Sequence, residues 1–426
     1  MRSAFFATAA FVATLAACPA HAAAVEHTET VVNGVKVDRY QWRDSNNRPR
    51  TVSLKKQGES NPGNGGYAVQ MTYQVFESGA WRTVRVNDAG GNDGGFGYFV
   101  SHERFRDFAG GGSGTIARKV FGQDDSPLGR HFAVVGKRLN TGDPELAAHR
   151  FRLTYPRYGT VKPIPKDANG NDVGPTPVNP DKLKLYSLGI TIIWYFQSGK
   201  DHPLIRTVVD MSNVDGRDRV NFDVRGPYGV MHFDGGENRP IKQAIWGDRF
   251  HFKTLGSPLT RSSEWTWKAR NRGARYSALI AGKFEMGLVE PRRFNRSALV
   301  DGWSGARGRT STLYNGGNGC TLQTPPQKIP CDWEWPYQSA QYSLPYDDPN
   351  GPTTGKKIAW GSAAYYGTGP SMPVMYDTST TSRPFNGFPA DRKIKYDVCA
   401  VLGHTVPGGL ARAVAQGPSY NCANAP

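Results

Sequence analysis

The chain has 426 residues, of which 52 are Lys or Arg and 36 are Asp or Glu, a formal surplus of +16. Fifty glycines and thirty prolines punctuate it too often for long helices, so the composition argues for many short strands joined by turns. Past the N-terminus, no stretch is long and apolar enough to span a bilayer as a helix.

The first element is a processing signal. Arg2 precedes an uncharged run from Ser3 to Ala17, then Cys18, Pro19 and the small-residue end Ala20-His21-Ala22. That is the order of a secretory signal, with cleavage expected before Ala23 and residence in the periplasm or outside the cell. Leu15-Ala16-Ala17-Cys18 also spells a lipoprotein box, which would leave a lipid anchor on Cys18. Pro19 and the Ala-His-Ala that follow favour ordinary cleavage. Removing residues 1–22 takes away one Arg and no acid, so the mature chain keeps a formal surplus of +15. A surplus of that size favours polyanionic partners: acidic polysaccharide, anionic lipid or nucleic acid. Export demotes nucleic acid, and no recognition-helix or zinc-finger pattern restores it. Plain solubility is the competing explanation of the charge.

Strand alternation begins at Tyr67, where Val69, Met71, Tyr73 and Val75 alternate with Gln70, Thr72 and Gln74. Asp143-Pro144-Glu145-Leu146 has the cap and first-position proline of a short helix. Residues 163–180 are rich in Pro, Asn, Gly and Asp and read as a long surface loop. Ile190, Ile192, Trp194 and Phe196 then share a face, and Ile205, Thr207, Val209 and Met211 resume the pattern after a turn, which predicts a hairpin with a longer loop. Val220, Phe222 and Val224, then Phe250 with Phe252, and Trp265 with Trp267, complete six segments. The fold expected is all-β, a large antiparallel β-sandwich over residues 23–300.

After about residue 300 the alternation gives way to Gly, Pro, aromatics and four cysteines, the mark of a loop-rich, disulfide-held region over 301–426 that packs on the sandwich. Cys320, Cys331, Cys399 and Cys422 allow three pairings, of which 320 with 331 and 399 with 422 is the most local. Their spacing does not suit zinc, and no metal or other cofactor is expected. Gly409 to Gln416 could form a turn or two of helix.

The densest polar and aromatic cluster runs from Arg225 to Lys268. If Phe250 and Phe252 point inward, Arg249, His251 and Lys253 share the opposite face, and Arg225 opposes Val224 on the preceding strand. With Tyr228, His232, Glu237, Asn238, Arg239 and Trp246 on adjoining segments, such a face is equipped for an acidic sugar. Arg225, Asn238, Arg239, Lys253 or Trp246 would hold the substrate, while His251, Tyr228, His232, Arg249 and Glu237 are the candidates for proton transfer and charge stabilisation. The reaction this chemistry suits is β-elimination, that of polysaccharide lyases. A hydrolase would instead need two carboxyls straddling the bond, and the competing view of the cluster is an ordinary solvated sheet face. Trp333 and Trp335, between Cys331 and Tyr337, offer rings that could stack on sugars or fill the core of a small disulfide-held module. A non-catalytic glycan-binding or envelope protein would use the same surfaces.

Ile190-Thr191-Ile192-Ile193-Trp194-Tyr195, then Asp201-His202-Pro203-Leu204-Ile205-Arg206 leading to Met211-Ser212-Asn213, resembles the paired strands of galactose-mutarotase-like β-sandwiches of carbohydrate-active enzymes. The resemblance covers about a quarter of the chain and lies in strand rhythm. It implies a supersandwich-like fold whose concave sheet binds sugar, and it transfers no catalytic residue.

Overall fold

The computed structural model describes residues 23–56, 67–86, 95–100, 132–160, 184–213, 219–234, 240–247, 252–255, 276–291, 310–311, 329–330, 358–368, 391–417 and 421–426. The strands run in chain order as β1 (Glu26–Val32), β2 (Val35–Arg43), β3 (Pro49–Lys55), β4 (Ala68–Glu77), β5 (Ala80–Val86) and β6 (Phe96–Val100). Next come β7 (Phe132–Leu139), β8 (Leu146–Thr160), β9 (Lys184–Gln197), β10 (Leu204–Asp210), β11 (Arg219–Met231), β12 (Gln243–Gly247) and β13 (Phe252–Leu255). The last are β14 (Tyr276–Ala281), β15 (Phe284–Val289), β16 (Thr310–Ser311), β17 (Ile329–Pro330), β18 (Ile358–Thr368) and β19 (Lys393–His404), followed by one helix, α1 (Leu410–Gln416). The ladders are antiparallel, and β16 with β17 form a separate small pair. No described helix is long and apolar enough to cross a membrane.

Two runs of pairing make the layers of a β-sandwich. In one, β1, β2, β3 and β4 pair in succession, β4 also pairs with β5 and β6, and β6 leads through β11 to β18. In the other, β7, β8, β9, β10, β19, β15, β14, β12 and β13 pair in succession. A short ladder between β11 and β8 joins the two. The main core lies between the layers: Tyr40, Trp42, Leu54, Met71 and Tyr73 from the first meet Trp194, Phe196, Ile205, Met286 and Leu402 from the second. Burying apolar faces of this size is the dominant driving force for the fold.

The predicted hairpin of β9 and β10 forms in the register Leu204↔Tyr195 to Asp210↔Gly189, and Ile190, Ile192, Trp194 and Phe196 all face the main core. The alternation from Tyr67 is interrupted. Leu54 pairs with Ala68 but Ser53 pairs with Gln70, so Val69 is an extra residue that throws the face out of step. Met71, Tyr73 and Val75 enter the main core, while Tyr67 and Val69 join Val35 and Val37 in a small cluster on the other side of the sheet. The helix expected at Asp143 does not form. Asp143 Oδ1 accepts the backbone N–H of Glu145 at 2.8 Å in a local turn, and Leu146 already opens β8, because pairing with β9 satisfies its backbone better than one helical turn would.

The region beyond residue 300 does more than cover the sandwich. β18 pairs with β11, and β19 is inserted between β10 and β15, near the middle of the second sheet. α1 and the C-terminal segment pack on the outer face of that sheet in a second apolar cluster with Tyr276, Ala278 and Val401. Cys399 of β19 is bonded to Cys422, the more distal of the two local pairings expected; Cys320 and Cys331 lie outside the described residues. Glu285 on β15 fixes the start of α1, both its carboxylate oxygens accepting backbone N–H groups, of Leu410 and Ala411, at 2.7 Å. Covered on both faces, β14 and β15 are buried at every position and read as continuous runs, without alternation.

Candidate active site

Proton-transfer side chains gather where the β1–β2 hairpin meets β8. The hairpin turns at Asn33 and Gly34, whose φ values of 48° and 80° are the left-handed pair that a two-residue turn between twisted strands requires. That turn fixes the register, placing His27 directly opposite Tyr40 and Glu29 opposite Asp38. Directly opposed residues share a face. Asp38, Tyr40 and Trp42 follow at every second position, so the hairpin carries its acid and its phenol on the side facing the second sheet.

His27 Nε2 lies 2.8 Å from Asp38 Oδ1, and the His27 ring sits 4.9 Å from that of Tyr40. Deeper in, the Tyr40 hydroxyl lies 2.9 Å from His149 Nδ1 on β8. Phe196 stacks on Tyr40 at 4.6 Å and Phe151 packs on His149 at 4.5 Å, so the inner pair is walled by rings. Exposure falls along the series: the His27 and Asp38 side chains are 15% and 12% exposed, whereas His149 is 2% exposed and Tyr40 fully buried. His149 Nε2 has no hydrogen-bond partner among the described residues. A Cβ on Gly136 of β7 would stand 3.1 Å from that nitrogen, so glycine there leaves it clear.

The electrostatics sort these groups by depth. Burial holds the His149 imidazole down to about 4, which keeps it neutral. Burial raises the Tyr40 hydroxyl, a rise that Asp38 adds to and Arg138 opposes. Lys56 Nζ lies 2.5 Å from Glu29 Oε2, and this contact lowers the Glu29 carboxyl and raises the Lys56 ammonium. Arg138, in register with His149, is exposed. The outer dyad is thus a carboxylate-oriented imidazole that solvent reaches, with Lys56 paired to the neighbouring Glu29. Among the described residues no group of three or more His, Cys, Asp or Glu side chains is placed to hold a metal.

Of the residues singled out from sequence, Arg225, Tyr228, His232, Trp246 and Lys253 lie among the described residues. Tyr228 on β11 is in register with Tyr98 of β6 and Gly361 of β18, and Arg225 with Val100 and Ala363. His232, just past β11, is buried at 2% exposure. Trp246 on β12 is 4% exposed and belongs to the main core, in register with Lys253 of β13. β11 pairs with β6, β8 and β18, whereas β13 pairs with β12. Arg225 and Lys253 therefore do not lie on neighbouring strands as their closeness in the chain suggested. Glu237, Asn238, Arg239, Arg249, His251, Trp333 and Trp335 lie outside the described residues.

Sequence reasoning missed the His27, Asp38, Tyr40 and His149 group. The alternation of Asp38, Tyr40 and Trp42 marks a strand face, but Tyr40 and His149 are 109 residues apart and only the sandwich brings them together. No protein-family model matches this chain, and no curated protein matches it.

Proposed function

We propose that this protein is an exported enzyme that cleaves an acidic polysaccharide by β-elimination, with His27 as its base. The observation that carries the reading is the His27–Asp38 pair at 2.8 Å, partly exposed, with Lys56 on the neighbouring Glu29 and Arg138 in register with His149. Asp38 orients the imidazole through its hydrogen bond to Nε2. A cation such as Arg138 neutralises the uronate carboxylate and makes the adjacent C–H more acidic. His27 removes that proton, the freed electron pair forms the carbon–carbon double bond, and the bond to the glycosidic oxygen breaks. The imidazolium then returns the proton to the departing oxygen, so the two sugar products and a neutral histidine balance the step.

The surplus of +15 after signal removal suits a polyanionic substrate, and the strand rhythm from Ile190 to Asn213 is in keeping with a sugar-binding sandwich. A hydrolase needs a carboxylic acid that keeps its proton near neutrality. Lys56 lowers Glu29, which therefore does not supply one. Glu285, which burial does raise, is committed to α1. The test is incubation of the mature protein with a panel of uronate polymers while following the ultraviolet absorbance of the unsaturated product. Absorbance should appear with at least one polymer and vanish in a folded His27→Ala variant. New reducing ends without absorbance would make the protein a hydrolase, and binding without either product would make it a glycan-binding protein.

A further inference from the structure

The β4–β5 hairpin presents the two most exposed aromatic side chains among the described residues, Phe76 at 57% and Trp81 at 52%. They are direct register partners one step from the Ser78–Gly79 turn, with ring centroids 5.3 Å apart in an edge arrangement. Neighbouring positions on the two strands turn inward: Val75 and Val84 enter the main core. Phe76 and Trp81 therefore stand on the outer face, where alternation continues the strip through the exposed Thr83 and Arg85.

A cation is built onto this strip. The Arg48 guanidinium carbon lies 4.4 Å from the centroid of the Trp81 ring. The β2–β3 loop holds Arg48 in place: its backbone N–H donates to Asp44 Oδ1 at 2.9 Å, its carbonyl accepts the Asp44 N–H at 2.9 Å, and the buried Arg50 in turn pins Asp44 Oδ2 at 3.1 Å. The acid of the hairpin is turned away, since Glu77 pairs with Arg82 at 3.1 Å, and Arg82 lies over Phe284 of the main core. The outer face is thus two rings with Arg48 and Arg85 along it. Exposed aromatic rings present flat amphipathic faces, and an arginine fork recognises a carboxylate through paired hydrogen bonds.

We infer that Phe76, Trp81 and Arg48 form an accessory subsite that binds a uronate residue of the polymer, its ring against the aromatics and its carboxylate on the guanidinium. The choice of ligand rests on the acidic-glycan reading above; the site does not, being on the opposite face of the first sheet from His27. The test is affinity electrophoresis of the mature protein through gels containing an acidic polymer or its neutral counterpart, with each variant's melting temperature checked. Trp81→Ala should weaken binding to the acidic polymer about tenfold, and Arg48→Gln should weaken acidic but not neutral binding. Turnover of short uronate oligomers should be unchanged in both. If wild type binds the polymer and forms unsaturated product while Trp81→Ala binds equally well, the subsite is refuted and the enzyme reading stands. If binding depends on Trp81 but no product forms, the subsite stands and the elimination fails. Should wild type bind anionic phospholipid vesicles through Trp81 and no glycan, the surface serves a membrane and the inference is overturned.

Discussion

The Tyr40 hydroxyl and His149 Nδ1 meet at 2.9 Å across the gap between the two sheets, a polar contact set among Phe196 and Phe151. Each is one of the few groups that can satisfy the other at that depth. Replacing Tyr40 with Phe keeps the ring and removes the hydroxyl, leaving the imidazole nitrogen buried without it. We expect a loss of about 1 to 3 kcal/mol in denaturant unfolding. The His149→Phe variant in the Tyr40→Phe background should recover part of that loss, because removing both polar partners removes the unsatisfied group.

Stability should depend on acid through the same residue. The folded-state pKa of His149 is depressed to about 4 from 6.5, so the fold binds the neutral ring. The contribution is fully present above pH 6.5 and is lost as the pH falls towards 4, by about 3 kcal/mol in all. His202, fully buried and accepting the Leu402 N–H on Nδ1, is shifted in the same direction and steepens the same limb. Urea midpoints measured between pH 7 and pH 4 should fall, and the fall should be smaller in His149→Gln. An equal slope in the two proteins would contradict this assignment.

The bond between Cys399 and Cys422 ties the C-terminal segment onto the outer face of β19. It closes a segment of 23 residues, so its removal should cost about 3 kcal/mol by the loop-entropy estimate. Cys422→Ser should lower the melting temperature under oxidising conditions. Hydrogen exchange should rise first in residues 410–426, while β9 and β10 keep their protection. Uniform loss of protection across the sandwich would mean that the bond supports the whole fold and not its cover.

Much of the fold was legible because period-two burial is a local property. Ile190 to Phe196 and Ile205 to Met211 each announce a buried face, and the eight residues between them announce their turn. The Tyr67 strand was legible except at Val69, since a bulge depends on the partner strand's register and not on the bulged residue alone. β14, β15 and β19 were harder, because strands covered on both faces lose the alternation that identifies them.

By itself the sequence determined a strongly basic chain and an all-β sandwich, and it offered the bond of Cys399 with Cys422 as part of one of three possible cysteine connectivities. These rest on composition, on short-range periodicity and on segment order, all of which are written along the chain. Only the tertiary structure decided which polar residues meet. Alternation assigns a side chain to a face but names no neighbour across the sandwich. His27, Asp38, Tyr40 and His149 come from three strands whose pairing and packing are set by the whole core, just as β11 and β13, close in the chain, find different partners within it.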